Sequence, residues 1–202
     1  MNVCYIVGAA DFFEGIKPDE NDFVIAADGG FDSLIRHGIK ADLLIGDMDS
    51  VKSDFSGIDI LRFSEKKDET DILLAFLEGK RRGYKSFRIY GATGGRQDHT
   101  FANYCLLSYI KEQGCNARIY SPEGMAVAIK DEQIEILGKA GSYISIFAFG
   151  KNATGVSISG LEYELENATL YPYYPLGVSN KFKNSAAKIS VEDGTLLIMW
   201  QN

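Results

Sequence analysis

Short apolar runs recur at intervals of roughly twenty to thirty residues along the first half of the chain, and their spacing is the strongest constraint on its fold. Most neighbouring runs are separated by a stretch with helical periodicity, which predicts strands alternating with helices on a parallel sheet. The predicted strands are Val3–Val7, Phe23–Ala27, Leu43–Ile45, Ile58–Leu61, Phe87–Tyr90 and Ala117–Tyr120. Helices are expected around Phe31–His37, from the capping residue Thr70 to Gly83, and from Asp98 to Gly114.

The pattern changes near Ser121–Gly124, where short alternating segments broken by Gly and Asn turns replace the helical periodicity. The predicted strands there are Met125–Ile129, Ile134–Leu137, Tyr143–Phe149, Val156–Ile158, Leu161–Leu165, Ala168–Tyr171, Ala187–Val191 and Leu196–Trp200. We therefore expect an α/β chain with an N-terminal parallel-sheet domain, Rossmann-like and three-layered, over residues 1–122. An all-β domain, a small sandwich or barrel, is expected over residues 123–202. A domain of that size is only marginally stable alone, so we expect it to dock on the first domain or on a second chain.

Composition excludes several classes of protein. With 202 residues and 46% apolar content, the chain can form one large or two modest cores. No apolar run approaches the length of a membrane span, and the N-terminus lacks the basic lead of a signal peptide. Three cysteines form no C-x-x-C pair, which fits a reducing cytosol, and the net charge of −7 argues against nucleic acid as a partner. We expect a cytoplasmic protein with neither membrane nor nucleic-acid partners.

Aspartates follow the predicted strands. Asp28 comes after the second strand, and Asp47 and Asp49 come after the third. The other three candidates are Asp68, Asp71 and Asp98. Because the carboxyl ends of parallel strands share one edge, all six should face one cleft, where Mg²⁺ would offset their repulsion and hold a phosphate chain. The alternative is that Asp47–Ser50 is merely a turn whose aspartates cap the next segment.

Parts of a phosphate site fall in the same region. Gly29-Gly30 and Gly94-Gly95 each precede a helix, so they offer backbone N–H groups and a positive helix end to an anion. Arg96 can bind phosphate oxygens, although an ion pair with Asp98 or Asp71 is the alternative. His99 is a candidate either for a general base or for a capping group. The chain contains no G-x-x-x-x-G-K-[ST] motif, which excludes a P-loop enzyme.

Six motifs in order resemble the thiamine pyrophosphokinase family. They are Asp28-Gly29-Gly30, Gly46-Asp47-Met48-Asp49-Ser50, Asp68-Glu69-Thr70-Asp71, Gly94-Gly95-Arg96-Gln97-Asp98-His99, Gly160-Leu161-Glu162-Tyr163 and Gly177-Val178-Ser179-Asn180. The resemblance therefore covers nearly the whole chain. It implies a catalytic domain over residues 1–122 and a thiamine-binding β-sandwich over 123–202, in a homodimer with active sites between subunits. The implied reaction moves the terminal pyrophosphate of ATP to the hydroxyethyl oxygen of thiamine, giving thiamine diphosphate and AMP.

The resemblance also implies roles for individual residues. Asp47, Asp49 and Asp71 would hold Mg²⁺ and the phosphates. Arg96 and Asp98 would contact the triphosphate and the metal shell. Apart from the resemblance, the chemistry of the transfer gives a carboxylate near the attacking hydroxyl as the proton acceptor, with Asp71 and Asp98 as candidates. The implied binding residues for ATP and thiamine are Asp28, Gly29, Gly30, Asp68, Thr70, Gly94, Gly95, His99, Ser179 and Asn180, the last two contributed by the β domain of the partner subunit. The family often has an acidic residue after Ser-Asn, where this chain has Lys181, so details of the thiamine pocket are expected to differ.

Two other functions compete with this interpretation. Asp47–Val51 also matches the D-x-D-x-[T/V] signature of haloacid-dehalogenase-type phosphohydrolases, in which Asp47 would be the nucleophile. That signature normally follows the first strand rather than the third, and it leaves the Gly94–Asp98 segment without a role. A non-catalytic module that binds a nucleotide or thiamine with Mg²⁺ is the other alternative. It would not require so complete a set of acids together with an arginine.

Overall fold

Parallel strands form the sheet in the first half of the chain, as the alternating pattern predicts. The computed structural model describes residues 2–12, 15–64 and 68–201. Within them this sheet contains β1 (Cys4–Val7), β2 (Phe23–Ala27), β3 (Leu43–Gly46), β4 (Asp59–Arg62), β5 (Ser86–Tyr90) and β6 (Asn116–Ser121). Their order is β4-β3-β2-β1-β5-β6, and every neighbouring pair is parallel.

The strand order creates a switch point between β1 and β5. The chain runs outward from β1 through β2, β3 and β4 on one side, and β5 and β6 lie on the other. Strands β1 and β3 are buried along their whole length, which explains why their sequences are apolar on both faces. In sheets of this kind, ligands bind outside the carboxyl ends of the strands where the order reverses.

The three helices predicted from the periodicity of the first half are confirmed. They are α1 (Gly30–Arg36), α2 (Asp71–Arg81) and α3 (Gln97–Glu112). Thr70 caps α2 as predicted, because its hydroxyl accepts a hydrogen bond of 3.3 Å from the N–H of Leu73. Helix α3 begins one residue earlier than the sequence suggests. Asp98 therefore lies in its first turn rather than opening it.

The second half consists of antiparallel strands. They are β7 (Gly124–Lys130), β8 (Gln133–Leu137), β9 (Tyr143–Ser159), β10 (Leu165–Leu170), β11 (Asn180–Lys181), β12 (Ala186–Ser190) and β13 (Asp193–Trp200). The first part of β9 pairs with β13, and its last part pairs with β10 and β12. Buried side chains of both parts belong to one apolar core. Residues 123–201 contain no helix.

Two strand predictions in this half are wrong in detail. The segments Tyr143–Phe149 and Val156–Ile158 belong to the single strand β9, because Gly150 and Gly155, both at positive φ, fall within the strand without ending it. Of the predicted strand Leu161–Leu165, Leu165 alone lies in a strand, as the first residue of β10, and Leu161 forms an isolated bridge with Phe182.

The fold is mixed α/β, and its residues fall into two compact units. The first unit comprises the chain up to residue 106 together with residues 114–122, and the second comprises residues 107–113 and those from 123 onward. None of the described helices is both long enough and apolar enough to cross a membrane.

Candidate active site

Three carboxylates meet at the carboxyl edge of β2 and β3. Asp28, Asp47 and Asp49 each offer an oxygen, and these oxygens lie within 4.8 Å of one another. The N–H of Asp49 also donates to Asp47 Oδ1 at 3.2 Å, which is the hydrogen bond expected of a turn. The turn and the carboxylate group therefore coexist, and the convergence predicted from the strand register is confirmed for these three residues.

The backbone around these carboxylates adopts conformations that side chains disfavour. Asp28 has φ 48° and Met48 has φ 70°, both in the left-handed region. Met48 is 8% exposed and belongs to the apolar core of the first unit, while Asp47 and Asp49 on either side of it approach Asp28. The burial of the Met48 side chain thus holds the carboxylates of Asp47 and Asp49 near Asp28. Strain of this kind is typical of functional sites.

Gly46 ends β3 and leaves room for the acids. Its φ of 147° is rare for residues with a side chain. A Cβ at this position would lie 3.1 Å from Cβ of Asp28 and 3.4 Å from Oδ1 of Asp71. Asp71, the first residue of α2, therefore adjoins the carboxylate group although it is not one of its three members.

One carboxylate oxygen of Asp28 has the environment of a metal ligand. The hydroxyl of Ser50 donates to Oδ2 of Asp28. Oδ1 is buried and has no hydrogen-bond partner among the residues that the structure describes. A buried carboxylate oxygen without a partner is costly, and Mg²⁺ prefers such oxygen ligands. The three carboxylates therefore fit a divalent cation.

A cavity of about 180 Å³ lies at the switch point beside this group. The loops after β1, β2 and β5 and the first residues of α2 contribute to its walls. Its polar lining consists of Asp28, Thr70, Asp71, His99 and Asn103. The cavity is thus bordered by carboxylates and by the positive end of a helix, an arrangement that can hold an anion together with a cation.

Hydrogen bonds join the loop after β1 to the loop after β5. The N–H groups of Gly8 and Ala10 donate to the carbonyls of Tyr90 and Gly91 at 2.8 and 3.0 Å, and the N–H of Asp11 donates to Thr93 at 3.1 Å. A Cβ on Gly91 would overlap the carbonyl oxygen of Gly8. The cavity floor is therefore formed by two backbone segments in direct contact.

In each glycine pair, one member is in close contact with a neighbouring segment. A Cβ on Gly30, the first residue of α1, would overlap the carbonyl oxygen of Val7. Gly94 has φ 88°, and a Cβ there would overlap the carboxylate of Asp11. Gly29 and Gly95 have more room, but Gly95 also has positive φ, at 62°. Close contacts at Gly30 and Gly94, together with positive φ at Gly94 and Gly95, thus favour glycine in these turns.

Arg96 forms an ion pair with Asp98, which the sequence predicts as an alternative to phosphate binding. Nη2 of Arg96 lies 2.5 Å from Oδ2 of Asp98, and Nε lies 3.1 Å from Oδ1. The hydrogen bond from Arg96 lowers the pKa of Asp98 to about 2. Because both side chains are mostly exposed, the pair contributes little to stability, and phosphate can replace Asp98 as the partner of Arg96.

The remaining predicted residues of the first unit are distributed around the cavity. His99 lines it, and its N–H donates to Oδ1 of Asp98 at 3.0 Å. Thr70 lines it while capping α2. Asp68 is exposed and belongs neither to the cavity lining nor to the carboxylate group.

Sequence reasoning missed three residues that build this site. Asp11 follows β1 as the other aspartates follow their strands, so the same register argument would have found it. Asn103 is 6% exposed and donates from Nδ2 to the carbonyl of Ala92 at 2.7 Å. Asp32 accepts hydrogen bonds from the N–H groups of Lys52 and Ser53 at 3.0 and 2.8 Å and so fixes the loop after Ser50. Burial raises the pKa of Asp32, but the hydrogen bonds from Ser53 and Lys52 outweigh it and lower the pKa.

In the second unit, Asn180 connects the two C-terminal motifs. Its Oδ1 accepts from the N–H of Tyr163 at 3.0 Å, and its Nδ2 donates to the carbonyl of Tyr163 at 2.7 Å. Ser179 has φ 60° and donates its N–H to the hydroxyl of Ser145 at 3.1 Å. The ammonium of Lys181 lies 5.1 Å from the ring centroid of Tyr143. Asn180 thus supports the backbone of the Gly160–Tyr163 motif, and its contact with a ligand stays a prediction.

The fold and site define an α/β protein with a carboxylate-rich, anion-accepting pocket at the switch point of a parallel sheet. The family model described as thiamin pyrophosphokinase, catalytic domain, matches residues 18–119. The model described as thiamin pyrophosphokinase, vitamin B1 binding domain, matches residues 129–196. The chain therefore belongs to the thiamin pyrophosphokinase family.

Individual relatives agree with this assignment. The thiamine pyrophosphokinase of Bacillus subtilis strain 168 is 24% identical over 188 residues, which cover 90% of this chain and 88% of that protein. A solved structure of the enzyme from Bacillus subtilis has a TM-score of 0.86 at 22% identity, covering 100% of this chain and 99% of that one. For thiamin pyrophosphokinase from Candida albicans the TM-score is 0.78 at 14% identity, covering 99% of this chain and 90% of that one. The structural likenesses show a shared fold.

Proposed function

We propose that this protein is a thiamine pyrophosphokinase, which transfers the pyrophosphoryl group of ATP to the hydroxyl of thiamine and releases AMP. The observation that carries this conclusion is the match of both family domains, in order, along one chain. The first of these matches contains the carboxylate group and both glycine turns.

Asp28, Asp47 and Asp49 would hold Mg²⁺, with Asp71 next to them. The metal, when bound, offsets the charge of the phosphate chain. The ligands expected from the sequence are Asp47, Asp49 and Asp71. The carboxylates whose oxygens converge in the structure are those of Asp28, Asp47 and Asp49, so we add Asp28 to the proposed ligands. Its buried, unpartnered oxygen supports this addition.

The other parts of the site position the substrates and offset charge. In-line attack on the β-phosphorus needs aligned reactants and compensation of negative charge rather than a covalent intermediate. The exposed backbone at Gly94-Gly95 and the guanidinium of Arg96 would supply that compensation. Asp98 is paired with Arg96 and has a low pKa, which makes it a weak proton acceptor. Asp71, which lines the cavity, is therefore our candidate for receiving the proton of the thiamine hydroxyl.

We assign residues 1–122 to a Rossmann-like catalytic domain and residues 123–202 to a thiamine-binding β-sandwich. The parallel strand order of the first unit and the core shared by both parts of β9 support these assignments. We also infer a cytoplasmic homodimer in which Ser179 and Asn180 complete the site of the other subunit. Five large side chains between residues 163 and 178 are at least half exposed, which favours a partner surface that covers them. They are Tyr163, Tyr173, Tyr174, Leu176 and Val178.

The test is a product analysis of purified protein incubated with ATP, Mg²⁺ and thiamine. Formation of AMP and thiamine diphosphate, dependent on all three components, is the expected result. ADP, or inorganic phosphate released without thiamine, would contradict the proposal and would favour a phosphohydrolase.

A further inference from the structure

A second cavity, of about 290 Å³, lies against the Gly94-Gly95 turn. It is lined by Gly94, Gly95, Gln97, Thr100, Phe101 and Tyr104. The ring of Phe101 is 64% exposed, although it stands near the start of a helix whose neighbouring turn belongs to the candidate active site. An exposed ring beside glycine backbone presents a flat apolar surface.

Helix α3 separates this cavity from the one at the switch point. Positions 97, 100, 101 and 104 lie three and four residues apart, so they share one face of the helix. His99 and Asn103, four residues apart, line the switch-point cavity instead. Gly94 contributes to both cavities. A ligand whose phosphates occupy the polar cavity therefore has the aromatic cavity directly beside it.

We propose that the face of α3 formed by Gln97, Phe101 and Tyr104 binds the adenine ring of ATP, with the base stacked on Phe101. This inference rests on the proposed function and adds residues that select the nucleotide. Thiamine, the other ring-bearing substrate, is assigned to the second unit by the vitamin B1 binding match at residues 129–196. The flat base thus has a surface of its own in the first unit.

Gln97 can distinguish adenine from other bases, which stacking alone does not. Aromatic stacking accepts any base, because every base has a π-face. The amide of Gln97, at the rim of the same cavity, can both donate and accept hydrogen bonds, as the edge of adenine does. We expect Phe101 to supply affinity and Gln97 to supply preference for adenine.

The test compares binding of ATP with binding of inorganic tripolyphosphate, which has no base. Calorimetry with Mg²⁺ present is carried out on the wild type, on Phe101→Ala and on Phe101→Trp. Phe101→Ala should weaken ATP binding about tenfold and leave tripolyphosphate binding unchanged, whereas Phe101→Trp should retain the affinity for ATP. An equal loss for both ligands, or no loss for ATP, would overturn the inference.

A matched control lies on the same helix. Tyr109 is also an exposed aromatic residue, two turns further along α3 and outside the lining of either cavity. Tyr109→Ala should leave ATP binding unchanged. A loss of ATP affinity equal to that of Phe101→Ala would contradict stacking of the base on Phe101. Failure of the proposed function is recognised separately: wild-type protein would then form no thiamine diphosphate, whatever the variants do to ATP binding.

Discussion

At the scale of single residues, unusual backbone conformation occurs in three of the six motifs. Asp28, Met48 and Ser179 all have positive φ without being glycine, and each lies in a motif quoted for the family resemblance. Among the described residues, Asp131 and Asn167 also have positive φ, but they lie outside the motifs. Such conformations cost on the order of 1–2 kcal/mol each, so they persist where the surrounding structure demands them. At Met48 the demand is visible, because its buried side chain requires the two flanking aspartates to remain near Asp28.

Asp49→Asn should lower turnover on the order of a hundredfold while changing the free energy of unfolding by less than about 1 kcal/mol. The reason is that Asp49 is an exposed member of the carboxylate group rather than a core residue. Steady-state kinetics and urea unfolding measure the two effects. Asp54→Asn is the matched control, because Asp54 is exposed, carries the same charge and bonds to Ser56 in its own turn. Equal turnover of the two variants would show that the carboxylate group is not catalytic.

The residue scale also shows what sequence could and could not reveal. Asp28, Asp47 and Asp49 were found because a strand end can be read from an apolar run that stops. Asp11 follows β1 in the same way and was missed, since it stands four residues past the strand in a loop whose path depends on contacts with β5. The bonds of Asn180 to Tyr163 join positions seventeen residues apart, and no local pattern contains them.

At the scale of elements, α2 connects the site to the stability of the first unit. Its N-terminal residues, Thr70 and Asp71, line the switch-point cavity, and near its C-terminus the buried carboxylate of Glu78 pairs with two exposed arginines. Glu78 is 7% exposed and accepts hydrogen bonds from Nε of both Arg81 and Arg82 at 2.7 Å. One helix thus presents a cap to the site at one end and a network of charges at the other.

Thr70→Ala should lower the free energy of unfolding by about 1 kcal/mol, because the N–H of Leu73 loses its capping partner. Thr70→Ser keeps a hydroxyl at the same place and should retain most of the stability. Urea unfolding of the three proteins measures the difference. If Thr70→Ser were as unstable as Thr70→Ala, lost packing rather than the cap would be responsible.

Glu78→Gln should destabilise the protein by about 2–3 kcal/mol at neutral pH and by much less near pH 2. Hydrogen bonds from Arg81, followed by those from Arg82, lower the pKa of Glu78 from 4.5 to about 2. A depressed pKa contributes stability that is complete above the unfolded-state value and is lost as the pH falls from about 4.5 towards 2. Unfolding curves measured from pH 7 to pH 2 should therefore converge for wild type and variant. Parallel curves over that range would contradict this role.

Elements also show why predictions failed in the second half. Glycines at 150 and 155 predicted two strands, yet β9 continues through both because its partners change from β13 to β10 and β12 along its length. Pairing partners are set by distant parts of the chain, so local turn signals cannot decide whether a strand ends or bends.

At the scale of the whole molecule, each site of the proposed homodimer would contain residues of both subunits. Asp49 and Ser179 would then belong to different sites within one chain. Mixing Asp49→Asn with Ser179→Ala, followed by dissociation and reassociation, should restore about a quarter of the wild-type activity. Half of the dimers would be mixed, and each mixed dimer would have one intact site of two. Turnover before and after mixing measures this, and absence of any gain would place each site within one subunit.

In the proposed reaction, the protein breaks the bond between the α- and β-phosphates of ATP and moves the pyrophosphoryl group as one piece. The most direct measurement uses ATP labelled at the β-phosphate, with Mg²⁺ and thiamine, and follows where the label goes. The account predicts that the label enters thiamine diphosphate in a one-to-one ratio with the AMP formed. Label recovered in ADP, with unlabelled phosphate on thiamine or in solution, would contradict it.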